Sequence, residues 1–211
     1  MTSQNLLPKA ILFDMDGVLI ESQDAWWKAI NIALTCSQHP TITKEEFVNH
    51  LWGNDFKKSI AYLGITANVF LDCKEWTQTY LDHIILKENA YETLSTLHKK
   101  YQLAVITNTQ RFITEQVLDQ FDLTSFFDEI VCADDVKKGK PHPDIIYQAC
   151  KLLDIHTDEA VVVGDTNSDF LASKQARCTM IGMNFKQDHN PFITHLSEIP
   201  QIVNQLKRNS R

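Results

Sequence analysis

The chain has 211 residues, 44% hydrophobic and 22% charged. That apolar content can offset the chain entropy of one large domain, or one domain with an insertion, and it excludes disorder as the main state. A formal net charge of −7 repels phosphate backbones and excludes general binding to a nucleic-acid polymer.

No apolar run in the sequence approaches the ~20 residues of a membrane span. Met1 to Pro8 is polar and lacks the pattern of a signal peptide. The five cysteines, Cys36, Cys73, Cys132, Cys150 and Cys178, form no C-x-x-C pair. Reduced thiols in the cytoplasm fit this usage, and a zinc site does not.

Five short apolar runs predict strands: Ala10 to Phe13, Leu103 to Ile106, Ile130 to Cys132, Ala160 to Val163 and Thr179 to Ile181. None alternates polar and apolar, as expected for strands of a parallel sheet covered on both faces. Helical spacing predicts helices over Tyr91 to Tyr101, Phe112 to Phe121, Asp144 to Leu153, Ser168 to Ala176 and Leu196 to Leu206. Strand–helix alternation gives an α/β fold with a Rossmann-like, doubly wound parallel sheet.

A long stretch separates the first two strands and reads as helical throughout: Asp24 to Leu34, Lys44 to Leu51, Asp55 to Leu63 and Ala67 to Lys87. Thr43 with Glu46 matches a capping box, and Gly64 sits where a helix C-cap is expected. Such a length exceeds an ordinary βα loop. The expected division is therefore a core of residues 1–19 and 88–211 and an inserted small α-helical cap of residues 20–87. The cap stands at the C-terminal edge of the first strand, where ligands bind in open α/β sheets.

In a parallel sheet the polar strand ends share that edge. Asp14-Met15-Asp16-Gly17 ends the first strand, Thr107-Asn108 the second, Lys138-Gly139-Lys140-Pro141 follows the third, and Gly164-Asp165 with Asp169 ends the fourth. Clustered carboxylates cannot all stay charged without a cation. Mg²⁺, held by one or two carboxylates plus substrate phosphate, resolves this. A carboxylate can also act as nucleophile, a second can move a proton, and a fixed ammonium and hydroxyl can hold phosphoryl oxygens.

Asp14-Met15-Asp16-Gly17-Val18, Thr107-Asn108, Lys140-Pro141-His142-Pro143-Asp144 and Gly164-Asp165 with Asp169 resemble the four motifs of the haloacid dehalogenase-like hydrolases, in the family's order. The chain is most similar to the phosphoglycolate phosphatase and β-phosphoglucomutase branch. The resemblance implies that Asp14 is the nucleophile that becomes an aspartyl-phosphate and that Asp16 is the general acid and then base. It implies that Thr107 with Asn108 binds the phosphoryl group and that Lys140 orients Asp14. Mg²⁺ would be held by the Asp14 carboxylate, the Asp16 backbone carbonyl and Asp165. Asp169 would hold the metal through water or support Lys140. The expectation is a Mg²⁺-dependent phosphatase of a small phosphorylated metabolite.

Two rivals stand beside it. One is a phosphomutase of the same branch, whose cap histidine would fall at Trp26. An indole cannot both donate and accept a proton, which disfavours it. The other is a non-enzymatic phosphoacceptor or partner protein, but a receiver lacks a helical cap and no key acid is missing here. Asn89-Ala90-Tyr91 stands where relatives often have Pro-Gly, a departure that touches no chemistry. Trp26 and Trp27 cannot share one helix face, so one is assigned to the cap core and the other to the crevice or to burial elsewhere. Thr109 rivals Thr107 for capping the next helix, Asp134-Asp135 is assigned to a turn, and Lys57 and Lys58 to solvent.

Overall fold

The computed structural model describes residues 8–187 and 190–209, so the Met1 to Pro8 reading lies outside the described residues except at Pro8. Its strands are Ala10–Phe13 (β1), Ile20–Glu21 (β2), Ile85–Leu86 (β3), Gln102–Thr107 (β4), Glu129–Cys132 (β5), Ala160–Gly164 (β6), Thr179–Met183 (β7) and Phe192–Ile193 (β8). Its α-helices are Gln23–Cys36 (α1), Lys44–His50 (α2), Phe56–Leu63 (α3), Asn68–Leu71 (α4), Glu75–His83 (α5), Ala90–Leu97 (α6), Arg111–Gln120 (α7), Asp144–Leu152 (α8), Asn167–Ala176 (α9) and Ile199–Asn209 (α10). No helix among the described residues is long and apolar enough to cross a membrane.

Six strands form one parallel sheet in the order β5-β4-β1-β6-β7-β8. β1 lies inside it, between β4 and β6, and all four of its residues are buried. Successive side chains of a strand point to opposite faces. Accordingly Ile11, Phe13, Leu103, Val105, Val161 and Val163 join the cluster that contains Leu94 and Leu97 of α6, Val117 of α7 and Val203 of α10. Ala10, Leu12, Ala104 and Val162 join the cluster of Ile145, Ile146 and Ala149 of α8 and Ala172 of α9. Both faces are covered, which is why the strand sequences are continuously apolar.

The five expected strands are all present. β8 is an addition: two residues, too short to carry a periodic signal, pair with the exposed side of β7. The stretch from Ala67 to Lys87, expected as helical throughout, is instead broken into α4, α5 and β3. Ile84 turns extended and ends α5, and Ile85 and Leu86 pair antiparallel with Glu21 and Ile20. Tertiary pairing overrides helix propensity there. The helix expected over Leu196 to Leu206 opens with a 3₁₀ turn at Leu196–Glu198 before α10 begins. At Thr43 the forward half of the capping box is present, with Thr43 Oγ1 accepting from Glu46 N at 3.1 Å, and Gly64 ends α3 in the left-handed conformation at φ 66°.

α1 to α5 lie between β2 and β3, and α1 packs along α5. Asn31 of α1 both accepts from Ile42 N at 2.8 Å and donates to Ile42 O at 3.0 Å, fixing the loop that leads into α2. The buried side chains of this segment, among them Phe47, Phe70, Trp76 and Tyr80, are continuous with the cluster on one face of the sheet. Cys36 and Cys73, expected as free thiols, are joined as a disulfide with their Cα atoms 5.9 Å apart. Their 37-residue separation leaves no local spacing signal, and only the folding of α1 beside the α4–α5 turn brings them together.

Candidate active site

β1 ends at Phe13, and the chain then turns within a few residues, with Leu19 N and Ile20 N both donating to Met15 O. Gly17 permits this turn. Its φ is +80°, and a Cβ placed there would stand 2.1 Å from Asp165 Oδ2, so any side chain would displace that carboxylate. The turn aims Asp14 and Asp16 at the edge where β4 and β6 also end.

Asp14 is buried. Its Oδ1 accepts from Met15 N at 2.8 Å and lies 2.8 Å from Lys140 Nζ. Lys140 Nζ also bonds Asp169 Oδ1 at 2.7 Å and Ile106 O at 3.1 Å. Burial alone presses the Lys140 ammonium towards its neutral form, but Asp14 and Asp169 outweigh this and hold its pKa above the ordinary lysine value. Burial pushes the Asp14 carboxyl up to about 8; Lys140 opposes the rise, while Asp169 and Asp16 add to it. The same causes, burial first and the charge of Asp14 next, raise Asp165 well above the usual carboxylate range.

Asp169 is fully buried in the first turn of α9. Its Oδ2 accepts from Thr166 N at 3.0 Å and from Thr166 Oγ1 at 2.5 Å, closing a capping box. Both Asp169 oxygens are thus committed, one to Lys140 and one to the helix cap. Asp165 is the opposite case: its Oδ1 is buried with no hydrogen-bond partner. Carboxylate oxygens from Asp14, Asp165 and Asp169 lie within 4.8 Å of one another. Three close acids, two buried and one half-buried with an orphaned oxygen, suit a hard divalent cation.

Thr107 is buried at the end of β4. Asn108 lines the same cavity; its Oδ1 accepts from Lys140 N at 2.8 Å, and its Nδ2 donates to Lys140 O at 2.9 Å and to Gly53 O at 3.4 Å. Its side chain therefore clasps the backbone that carries the ammonium. Neither Thr107 nor Thr109 caps α7, whose N-cap residue is Gln110.

Asp16 is gripped by four side chains. Ser22 Oγ (2.6 Å), Trp26 Nε1 (2.8 Å) and Tyr80 OH (2.9 Å) donate to Oδ1, and Thr109 Oγ1 (2.7 Å) donates to Oδ2. Burial first, and the charge of Asp16 next, raise the Tyr80 phenol well above its ordinary pKa, which keeps it a donor. Trp26 also lies against Tyr80, with ring centroids 4.3 Å apart. Trp27 instead donates to Ile42 O inside the helical segment. Sequence reasoning missed Ser22, Tyr80 and Thr109 as partners of Asp16, since they come from separate elements. It also missed Thr166, whose Thr-x-x-Asp spacing to Asp169 was a readable cap signal. Asp134 and Asp135 accept bonds from Arg111, and Asp135 also accepts from Cys132 N, consistent with a turn. Lys57 and Lys58 are exposed.

Asp14, Asp16, Thr107, Thr109 and Lys140 form the floor of one cavity, and α1 to α5 supply its roof. The family model described as haloacid dehalogenase-like hydrolase matches residues 11–183. The chain belongs to this family. The pyrophosphatase PpaX of Bacillus cereus (strain G9842) is 26% identical over 211 residues, covering 94% of this chain and 97% of the relative. Among solved structures, a predicted phosphoglycolate phosphatase from Haemophilus somnus 129PT superposes with a TM-score of 0.78 at 23% identity, covering 96% of this chain and 99% of the other. CbbY from Rhodobacter sphaeroides, solved with phosphate, gives 0.78 at 23%, covering 92% and 96%. At these identities the structural likenesses speak for the fold, which agrees with the sheet order and the placement of the four strand-end motifs.

Proposed function

We propose that this haloacid dehalogenase-like hydrolase is a Mg²⁺-dependent phosphatase that releases phosphate from a small phosphorylated metabolite through an aspartyl-phosphate on Asp14. The observation that carries the reading is the Asp14–Lys140–Asp169 bridge beside the orphaned Asp165 Oδ1. It joins a restrained nucleophile and a fixed ammonium on the cavity floor to an acid with an unpartnered oxygen close beside them. Names among the relatives, pyrophosphatase and phosphoglycolate phosphatase, agree with phosphate chemistry.

The Asp14 contacts fall on Oδ1, which leaves Oδ2 as the attacking oxygen. It forms a bond to phosphorus as the bond to the leaving oxygen breaks, and Asp16 passes its proton to that oxygen. Asp16 then takes a proton from water, whose oxygen attacks phosphorus and frees Asp14. Lys140 and Thr107 hold phosphoryl oxygens in place. Asp14, Asp165 and the Asp16 backbone carbonyl would hold Mg²⁺, which when bound neutralises phosphoryl charge. Asp169 supports Lys140, because both of its oxygens are already engaged. Residues 20–87 act as the cap that excludes water, and residues 8–19 with 88–209 supply the core. A mutase reading is disfavoured because Trp26 only donates to Asp16. Phosphate release from a panel of phosphorylated metabolites, with Mg²⁺ and with chelator, tests the proposal. Absence of any Mg²⁺-dependent release overturns it.

A further inference from the structure

The cavity has two unlike halves. Its floor is polar, whereas the roof presents Trp26, Phe47, Trp52, Phe56, Phe70 and Trp76. These rings support one another. Phe70 meets Phe56 edge-on at 5.1 Å and Trp76 at 5.6 Å, Trp76 stacks on Trp26 at 6.1 Å, and Phe47 meets Trp52 at 6.0 Å. The arrangement is a packed aromatic lining in ordinary aromatic geometry.

The roof also engages several of its polar groups within the protein. Trp76 Nε1 donates to Phe70 O, Ser59 Oγ to Asp55 O, Asn54 Nδ2 to His50 O, and Trp26 Nε1 to Asp16. Among the described residues lining the cavity, Lys140 is the only cation, and it is engaged by Asp14 and Asp169 on the floor. A carboxylate or second phosphate on the leaving group would meet no counter-charge, and a polyol would lay most of its hydroxyls against the ring faces of Phe47, Phe56 and Phe70. Either is costly in an apolar site.

We propose that the preferred substrate is the phosphate monoester of a small, uncharged, apolar alcohol, one whose leaving group carries a short branched alkyl chain or a single ring. The inference rests on the phosphatase reading and extends it to substrate class. The cavity holds about 110 Å³ and is partly open, which suits a compact apolar group. Hydrolysis sets the alcohol free with the proton from Asp16, and the oxygen supplied by water stays on phosphate.

The test compares kcat/KM of the full chain with Mg²⁺ on benzyl phosphate and 3-methylbutyl phosphate against phosphoglycolate, pyrophosphate and glycerol 3-phosphate, with acetyl phosphate as a probe of the floor alone. Benzyl and alkyl alcohols are no better leaving groups than the hydroxyls of glycerol, so a preference for them reports the roof. The expected result is at least a tenfold advantage for the apolar esters, and a fall of at least tenfold in the ratio of benzyl phosphate to phosphoglycolate in Trp52→Arg, with folding checked by circular dichroism. Equal or better turnover of the charged or hydroxylated esters overturns the substrate assignment, as does hydrolysis of acetyl phosphate alone. Failure to hydrolyse any of them, acetyl phosphate included, overturns the phosphatase reading with it.

Discussion

Trp26 Nε1 donates to Asp16 Oδ1 at 2.8 Å, so the first helix of the insertion holds the acid two positions after the proposed nucleophile. Tyr80, from the last helix of the insertion, donates to the same oxygen. The rotamer of Asp16 is thus set from above by two helices, while Thr109 holds its other oxygen from the sheet. Trp26→Phe and Tyr80→Phe keep a ring but remove the donor. A hydrogen bond to a charged group contributes about 1.5–3 kcal/mol, so kcat should fall about tenfold or more in each. KM for acetyl phosphate, which needs no roof contact, should change little. Steady-state kinetics on both variants separate the two parameters, and an unchanged kcat would show that Asp16 is positioned without these rings.

Asp14→Asn should abolish phosphate release and leave the fold intact. A neutral amide of the same shape gives up the ion pair with Lys140 but also the repulsion with Asp169 and Asp16, and Lys140 keeps Asp169 as a partner. The melting temperature should stay close to that of the parent. Near-normal Mg²⁺-dependent turnover in this variant would refute Asp14 as nucleophile.

Lys140→Met should cost both activity and stability. It leaves Asp14 and Asp169 facing each other in a buried site, and breaking a buried ion pair on one side costs about 3–5 kcal/mol. Pairing it with Asp169→Asn should restore part of the stability and none of the turnover. Urea unfolding of the single and double variants measures this coupling.

Cation binding should depend on pH in a defined direction. The raised pKa values of Asp14 and Asp165 mean that the metal-free site binds protons that Mg²⁺ must displace. For an acid with a raised folded pKa, metal-free stability falls as pH climbs from the unfolded value, about 3.9 for Asp, towards about 8 for Asp14. Mg²⁺ affinity rises over the upper part of that window. The increase in melting temperature on adding Mg²⁺ should therefore be larger at about pH 8 than at about pH 6. An equal shift at both would contradict proton displacement.

Gly17→Ala tests the floor by geometry. The added carbon would collide with Asp165 Oδ2 at 2.1 Å, so Asp165 must move. Mg²⁺ affinity, followed by titration calorimetry, should drop about tenfold or more, while the sheet is unaffected.

The sheet was legible because each core strand is buried on both faces and so reads as an unbroken apolar run, as in Ala160 to Val163. The four motifs were legible because Asp14, Thr107 and Asp165 stand at or next to strand termini and Lys140 in the loop that follows β5. What was hidden depends on distance along the chain. Tyr80 reaches Asp16 across 64 positions and Thr109 across 93, and no window of sequence spans such pairs. Cys36 and Cys73 were misread for the same reason. β3 was misread because Ile85 and Leu86 take their conformation from Glu21 and Ile20 and not from their own neighbours. Asn108 sat at the expected position, but its partners, the backbone groups of Lys140, follow only from the folded loop.

The two-stranded ribbon of β2 and β3 clips the outgoing and returning chains together, reinforced by Lys87 N on Leu19 O and by the Lys87–Glu21 ion pair. Two independent tethers would let the helical layer slide or twist over the sheet. A clipped pair would confine any movement to a hinge swing, with bending at Gly17 on one side and at Asn89, which already has φ 60°, on the other. Such a swing would bring Trp26 and Tyr80 back to the same Asp16 oxygen, so each closure would restore one alignment.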